Sequence, residues 1–423
     1  MKKLLTLILA LGLLLSVASF AAAEEKVTLN LTYAGSVDEF TPIQNAIDTH
    51  AGDLEGIEIN VIHIPAGEYW NKVTTMFAGN AAPDVLFMSE PFPQYASKGL
   101  LLRIDDKMTE LGLLDLDEWY QVGLDYFTWD GGVYGLPKDV NVYCTYFNKA
   151  LFEEAGLETP DVLAERGEWT REAFREAAIA LTRRDGDSVT QYGCAFADLD
   201  GWCSAPWLFS AGAQFLNEDR TECLLNSQAA VDTYQFWHDL AYVDRVTPTP
   251  GTPSDALTGM SFQTGKIAMS IGGDWEIASD RSCDFEWGVA PMPVAEGMDQ
   301  YSGYVHIGGW AIASATEHPE EAMKVLSVLT SKEFQISMAE SSVGLIPPRV
   351  KIAEEYYLTD LMPENAGVFF KMLENGTCYP FTVHDGDIDL IYAEYTDMMM
   401  EEGSDIPALA DEMVEAVNEV LQG

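Results

Sequence analysis

The chain has 423 residues, 48% of them hydrophobic, and a formal net charge of −45 from 68 acidic against 23 basic side chains. So strong an acidic excess repels nucleic acid and anionic lipid, so neither is an expected partner. The length leaves room for two or three domain-sized units with true cores.

Residues 1–23 combine Lys2 and Lys3, an apolar run from Leu4, and Ala21-Ala22-Ala23. That is the composition of a secretory signal peptide cleaved near Ala23, with the mature chain starting at Glu24. The apolar run is too short for a good membrane span. No cysteine stands at the cut, so a lipid anchor is not expected there, and the protein is expected to be periplasmic or associated with the cell surface.

Val27, Leu29, Leu31 and Tyr33 alternate as strand residues do, and Gly35-Ser36 turns the chain into a helix. Ile57, Ile59, Val61 and His63 form a second strand pattern. In "GEYWNKVTTMFAGN", Tyr69, Val73, Met76 and Phe77 share a helical face, with Gly79 as the expected terminator. Asp84 to Met88 reads as a buried strand, so strand, helix, strand, helix, strand implies an α/β unit with a parallel sheet.

The alternation continues. "VYCTYFN" and "YGCAFA" read as strands, and Thr170 as the N-cap of a helix carrying Phe174, Ala177, Ala178 and Leu181 on one stripe. Pro319 opens a helix with Ala322, Val325, Leu326 and Leu329, and the tail from Ile406 repeats the pattern with Leu409, Met413, Ala416 and Val420. No long linker, low-complexity block or repeat separates these units, so they are expected to be interwoven.

Catalytic signatures are missing. There is no Gly-x-Ser-x-Gly and no His-Glu-x-x-His. "GMSFQTGKI" has the wrong spacing between Gly259 and Gly265 for a phosphate loop, and Ile267 replaces the metal-binding hydroxyl, so it reads as a turn before a strand. "DGDIDL", from Asp385, lacks the sixth-position Gly of a calcium loop and has Thr396 where a closing Glu belongs. No metal or cofactor is expected. Six cysteines, Cys144, Cys194, Cys203, Cys223, Cys283 and Cys378, include no Cys-x-x-Cys, and their pairing is left open. Ten Trp and 18 Tyr, several beside Gly, Pro or an acid, suit saccharides, whose C–H faces stack on rings while their hydroxyls bond to carboxylates and amides. Two segments repeat a theme: "SIGGDWEIAS" and "HIGGWAIAS" each set a Trp just after a Gly-Gly pair.

From "GEYWNKVTTMFAGNAAPDVLFMSEPFPQYASKGLLLRID" onward, the sequence resembles the extracellular substrate-binding proteins of bacterial ABC sugar importers, the family that includes maltose-binding protein. "GGVYGLPKDVNVYCTYFNKALFEEAGL", "AGAQFLNED", "GKIAMSIGGDWEIAS", "WGVAPMP", "GGWAIAS" and "IPPR" follow in order. The resemblance implies two hinged α/β lobes, 24–137 with 291–343 and 138–290 with 344–423, crossing near Pro137–Asn141, Ala290–Pro293 and Gly344–Arg349. It implies a monomeric, non-enzymatic subunit that captures a saccharide in the interlobe cleft and passes it to a membrane permease. The alternatives are an exported glycosidase and a binding protein of the same fold for another solute.

Ligands of open α/β sheets lie beyond the carboxyl ends of strands, which selects Ser36, Asp38, Ser89 and Glu90. Alignment by motif adds Trp70, Asp139, Asn141, Asp200, Trp202 and Trp275, with Trp275 as the stacking aromatic. Trp310, on a strand leaving the hinge, faces either cleft or core.

Overall fold

The computed structural model describes residues 26–111, 118–196, 199, 201–249, 252, 257, 259–341, 343–360 and 362–423. The expected signal peptide and Asp200 lie outside these residues, as does the side chain of Trp202.

The first lobe begins as the alternation of apolar residues dictates. Strand β1 (Val27–Tyr33), helix α1 (Phe40–Thr49), β2 (Ile57–His63), α2 (Ala66–Ala78) and β3 (Val85–Met88) follow in order. β1 lies parallel to both β2 and β3, with Leu31 opposite Val61 and Val85. Its inward Leu29 and Leu31 are buried with Ile43 and Ala46 of α1, so one face of the sheet is covered by the helix that follows it. Gly79 does cap α2, but at φ −86; the left-handed turn falls on Asn80, at φ 53, one of the few side chains that tolerate it.

The chain then reaches its central element, β4 (Gly135–Asn148), 14 residues that are all buried. Its first half, to Val142, pairs antiparallel with β9 (Gly303–Ile312); its second half, from Tyr143, pairs antiparallel with β7 (Ile267–Gly273) and with β8 (Trp287–Ala290). β9 reaches back to β3, and β7 continues to the parallel β6 (Ser188–Phe196) and its hairpin partner β5 (Arg183–Asp185). The strand order β2-β1-β3-β9-β4-β7-β6-β5 is therefore two sheets joined through one shared strand. A residue buried throughout a crossing segment cannot shift without disturbing both lobes.

The second lobe is built on the remaining elements. Helix α5 (Arg171–Leu181) starts as expected, with the Thr170 hydroxyl accepting from the Ala173 N–H. Its Phe174 packs with Trp169, Trp207 and Trp237, all with 1% exposure or less, which closes the core under α6 (Gln228–His238), α10 (Asp385–Met399) and α11 (Ile406–Gln422). The segment "DGDIDL" is the first turn of α10, and "GMSFQTGKI" is a turn leading into β7. No disulfide joins Cys144, Cys194, Cys223, Cys283 or Cys378.

The second crossing differs from expectation. Residues beyond Ala290 stay on the second lobe: Val294 bridges Thr170, Ala295 N–H donates to Ser210 O (3.0 Å), and the Gln300 side chain bonds both backbone groups of Trp169. The chain crosses within β9, whose Tyr304 lies in the second-lobe core and whose Ile312 lies in the first. The resemblance implied a crossing at "WGVAPMP"; β8 ends there, at Ala290. At the third expected crossing, Gly344–Arg349, Ile346 O accepts from Val140 N–H, and Arg349 bridges Trp119.

In β9, a Cβ on Gly309 would overlap the Phe127 ring, whereas one on Gly303 would meet nothing within 4 Å. Gly309→Ala is expected to cost about 1–3 kcal/mol through overpacking, and Gly303→Ala to stay within about 0.5 kcal/mol. Urea unfolding of the two variants measures the difference.

Candidate functional site

Successive residues of a strand point to opposite faces, so the crossing sheet has two unlike sides. On one, α4 (Gln121–Tyr126) closes on β4: a Cβ on Gly123 would meet Pro137 and Val140. On the other stand Asp139, Asn141 and Tyr143 of β4, with Gly308 and His306 of β9 registered opposite Asp139 and Asn141. This second side is the floor between the lobes.

The floor is anchored by a bulge. Gly308 pairs with Asp139 and Gly309 with Pro137, so Lys138 is the extra residue of β4. Its buried ammonium lies 2.6 Å from Glu39 Oε2, at the start of α1, and 2.9 Å from Asp139 Oδ2. Asp139 Oδ1 in turn accepts from Asn141 Nδ2 (2.5 Å) and from Gly308 N–H (3.2 Å). Burial pushes the Glu39 carboxyl up while Lys138 pulls it back; for Lys138 burial acts downward, but Asp139 and Glu39 prevail and raise it. From the other lobe, Asp274 accepts from Val142 N–H (3.2 Å), and burial, then the nearby Asp139 charge, drive its carboxyl well above the usual range.

Above this floor Glu90, in the turn after β3, meets His306 Nε2 at 2.8 Å and is contacted by the Ser89 hydroxyl. Burial opposes ionisation of Glu90, yet the His306 hydrogen bond and charge, with the Ser89 hydroxyl, outweigh it and hold the carboxyl below its ordinary value. Two rings face His306, Trp275 at 5.7 Å and Tyr304 at 6.2 Å, and Tyr143 packs on both, its centroid 5.2 Å from that of Trp275 and 5.7 Å from that of Tyr304. Trp275 is half-buried and packs against the cores of both lobes. The Gly pair before it is needed for this: a Cβ on Gly273 would collide with the Trp275 ring, and one on Gly272 with the Glu276 carboxyl.

The structure thus brings together Ser89, Glu90, Asp139, Asn141 and Trp275. Trp70, half-buried on α2, contacts Phe87 (6.3 Å), whose ring lies 5.2 Å from Lys138 Nζ and would meet a Cβ on Gly308, so it extends the first-lobe wall. Ser36 caps a short turn through its hydroxyl, which accepts from Asp38 N–H, and Asp38 is exposed in a groove between α1 and α8 (Lys332–Ala339). Trp310 is fully buried in the first-lobe core, its ring centroid 6.5 Å from that of Phe87; of its two possible orientations, core is the one adopted. Its ring lies on the same side of β9 as Gly308, beside Phe87 and Lys138, where the strand has already entered the first-lobe core. Glu39, Lys138, Tyr143, Asp274, Tyr304 and His306 were not singled out from sequence. "PKDVNVY" and "YVHIGGW" hold four of them, and a strict period-two reading of those strands would have placed Tyr143 with Asn141 and Tyr304 with His306.

A cavity of about 320 Å³ lies between α4 and the Cys378–Phe381 segment, with Asp125 and Arg220 in its lining; Tyr126, also in the lining, is within electrostatic reach of Glu90 and Tyr304. Among the described residues no His, Cys, Asp and Glu group is arranged to hold a metal ion, and no helix is long and apolar enough to cross a membrane.

Two α/β lobes sharing crossing strands, with rings and carboxylates between them, define a solute-binding architecture. The chain belongs to the bacterial extracellular solute-binding protein family, matching it over residues 34–336. It is 25% identical over 256 residues to the maltodextrin-binding protein MdxE of Bacillus subtilis, covering 59% of this chain and 56% of that one, so it spans little more than half of this relative. Among solved structures, the ABC substrate-binding protein Lmo0181 of Listeria monocytogenes, in complex with cycloalternan, superposes with a TM-score of 0.82 at 22% identity, covering 94% of this chain and 99% of that one. The maltose/maltodextrin-binding domain MalE of Bdellovibrio bacteriovorus, bound to maltotriose, does so with a TM-score of 0.77 at 18% identity, covering 94% and 100%.

Two outcomes follow from this packing. Trp310→Ala is expected to lower stability by about 3–5 kcal/mol, and Lys138→Met by a similar amount, since it leaves two buried carboxylates unpaired. Burial, then Asp280, push Glu276 up to about 7. Between its ordinary value and about 7 the folded chain holds a proton that the unfolded chain releases, so this group's contribution to stability declines as pH rises through that window. Glu276→Gln is expected to flatten the fall in urea midpoint between about pH 5 and 8.

Proposed function

We propose that this protein is the extracytoplasmic solute-binding subunit of an ABC importer, capturing a saccharide of oligosaccharide size between its lobes and delivering it to the membrane permease. One observation carries the reading: Trp275 and Tyr143 stand edge to face beside the Glu90–His306 pair, on a floor of hinge strands. A half-buried indole offers a face for C–H stacking, and the carboxylate and amide groups next to it suit hydroxyls. The sugar ligands named for the Listeria and Bdellovibrio proteins support the same class of solute.

We take the first lobe as residues up to Pro137 with the chain from Gly308 to Val343, and the second as Tyr143 to Tyr304 with the tail from Gly376. Lobe rotation about the crossings lets a ligand touching both sides favour the closed arrangement. The protein acts outside the cytoplasm, is released from its signal near Ala23, and carries no lipid at that point. Binding without turnover is supported by the fixed state of the floor carboxylates: Glu39 and Asp139 are held on Lys138, which leaves neither placed as an acid or nucleophile toward a glycosidic bond.

Trp275→Ala tests the site. Removing a stacking face at a binding hot spot is worth about 2 kcal/mol or more, so affinity for the tightest saccharide in a fluorescence-screened panel is expected to fall roughly 30-fold or more. Unchanged affinity with a large loss of melting temperature would make Trp275 a core residue. The same oligosaccharide should be returned intact after prolonged incubation; steady release of shorter sugars would replace binding with hydrolysis.

A further inference from the structure

β4 changes partners at a single residue. The N–H groups of Val140 and Val142 point to one side of the strand, as those of alternate residues do. Val140 N–H reaches Ile346 O of the third crossing (3.0 Å), and from Tyr143 onward β7 takes over, with its last residue Gly273 opposite Tyr143. Val142 lies between the two. Its N–H goes to a side chain, Asp274 Oδ1, at 3.2 Å. A carboxyl therefore stands where the backbone of a neighbouring strand would, at the point where the sheet passes from one partner to the next.

Asp274 is also the residue that precedes Trp275. It is fully buried, and the Gly273 carbonyl beside it accepts from the Tyr146 hydroxyl (2.7 Å), so the turn is tied to β4 through side chain and main chain together. The Ile346 N–H acts on the same carboxyl, and a Cβ on Gly344 would lie 3.5 Å from Asp274 O, so the third crossing packs on the turn as well. Burial, then the Asp139 charge, raise the carboxyl far enough to hold it as the neutral acid. With Oδ1 engaged, the proton belongs on Oδ2, which meets no donor among the described residues. The Trp275 ring meets Tyr143 at 5.2 Å and His306 at 5.7 Å. A half-buried ring takes its place from the backbone beneath it, and that backbone is bolted to the crossing strands.

We propose, building on the saccharide reading above, that Asp274 is a positioning residue of the site: its hydrogen bond from Val142 N–H fixes the Trp275 ring on the crossing strands, beside the Glu90–His306 pair, and so sets how well a sugar stacks. Asp274 touches no solute itself. Its effect reaches the ligand through Trp275, and lobe rotation carries the ring with β4. The bond is one of shape and polarity, not of charge, so an isosteric amide serves as well: Asn offers Oδ1 to Val142 N–H and an Nδ2 donor where the acid carries its proton. Ala offers neither, and leaves a buried N–H without a partner.

The test places Asp274→Asn and Asp274→Ala in the mature protein, each with and without Trp275→Ala. Affinity for the tightest saccharide of the fluorescence-screened panel is measured by calorimetry. Asp274→Asn is expected to bind within about threefold of the parent, and Asp274→Ala at least about tenfold more weakly, equivalent to about 1.4 kcal/mol. In the Trp275→Ala background, Asp274→Ala is expected to cost less than about twofold, because the ring through which it acts is gone. Equal losses in the two backgrounds, or parent-like binding by Asp274→Ala, overturn the proposal, since a residue that only supports the fold acts alike with or without the ring. Two further results overturn it without the Ala variant, should that variant not fold: a tenfold loss of affinity in a folded Asp274→Asn, or a Val142 amide that exchanges in the parent as fast as an exposed one. Failure of every saccharide to bind overturns the saccharide reading instead. Ligand-free emission of Trp275, taken as the difference from a matched Trp275→Phe protein, then decides the role of Asp274: unchanged by Asn and shifted by Ala supports it, and unchanged by both overturns it.

Discussion

One buried ammonium holds the molecule together at its narrowest point. Lys138 sits in a bulge of β4 where that strand passes from one sheet to the other, within 3 Å of carboxylates from α1 and from its own strand. A charge pair this deep is a weak source of net stability, because desolvation offsets most of the attraction. Its effect here is positional. The bulge and the ion pairs fix Asp139, Asp139 fixes the Asn141 amide and the Gly308 N–H, and the register of β9 on β4 follows. The position of His306, and through it of Glu90, depends on that register.

The two Gly-Gly-Trp segments show how one short pattern serves two ends. In the first, glycine lets an indole fold back over the end of β7, and the ring lies between the lobes. In the second, the glycines sit inside β9 and admit neighbours from opposite faces: Asp139 and Phe87 beside Gly308, Phe127 beside Gly309. The Trp that follows is then carried into the first-lobe core. A glycine pair in sequence marks close approach; what approaches is decided by whether the pair ends a strand or lies within one.

Much of the fold was legible because periodicity and caps are local. The β1 and β2 boundaries, the Thr170 and Pro319 helix starts and the helix from Ile406 all lie where residue patterns put them. The resemblance put the second crossing near Ala290–Pro293, where β8 ends, and nothing local distinguishes a strand that stops from one that leaves its lobe. Of the candidate residues, Ser89 and Glu90, chosen at a strand end, and Asp139, Asn141 and Trp275, chosen by motif, lie together in the structure. Asp38 is exposed at the start of α1 and lines a groove against α8. Glu39, its neighbour, reaches the floor, through an ion pair with a residue 99 positions later that no window of sequence contains. Long-range charge pairing is a tertiary fact, and it accounts for Lys138 and Glu39.

The central claim is that a solute is gripped between the lobes and not on either one alone. Small-angle scattering with and without a saturating saccharide measures this directly. The account predicts a smaller radius of gyration with ligand, as rotation about the β4, β9 and Gly344–Arg349 crossings brings Trp275 and Glu90 onto the same sugar. A radius unchanged at saturation, with binding proved by calorimetry on the same sample, would contradict it.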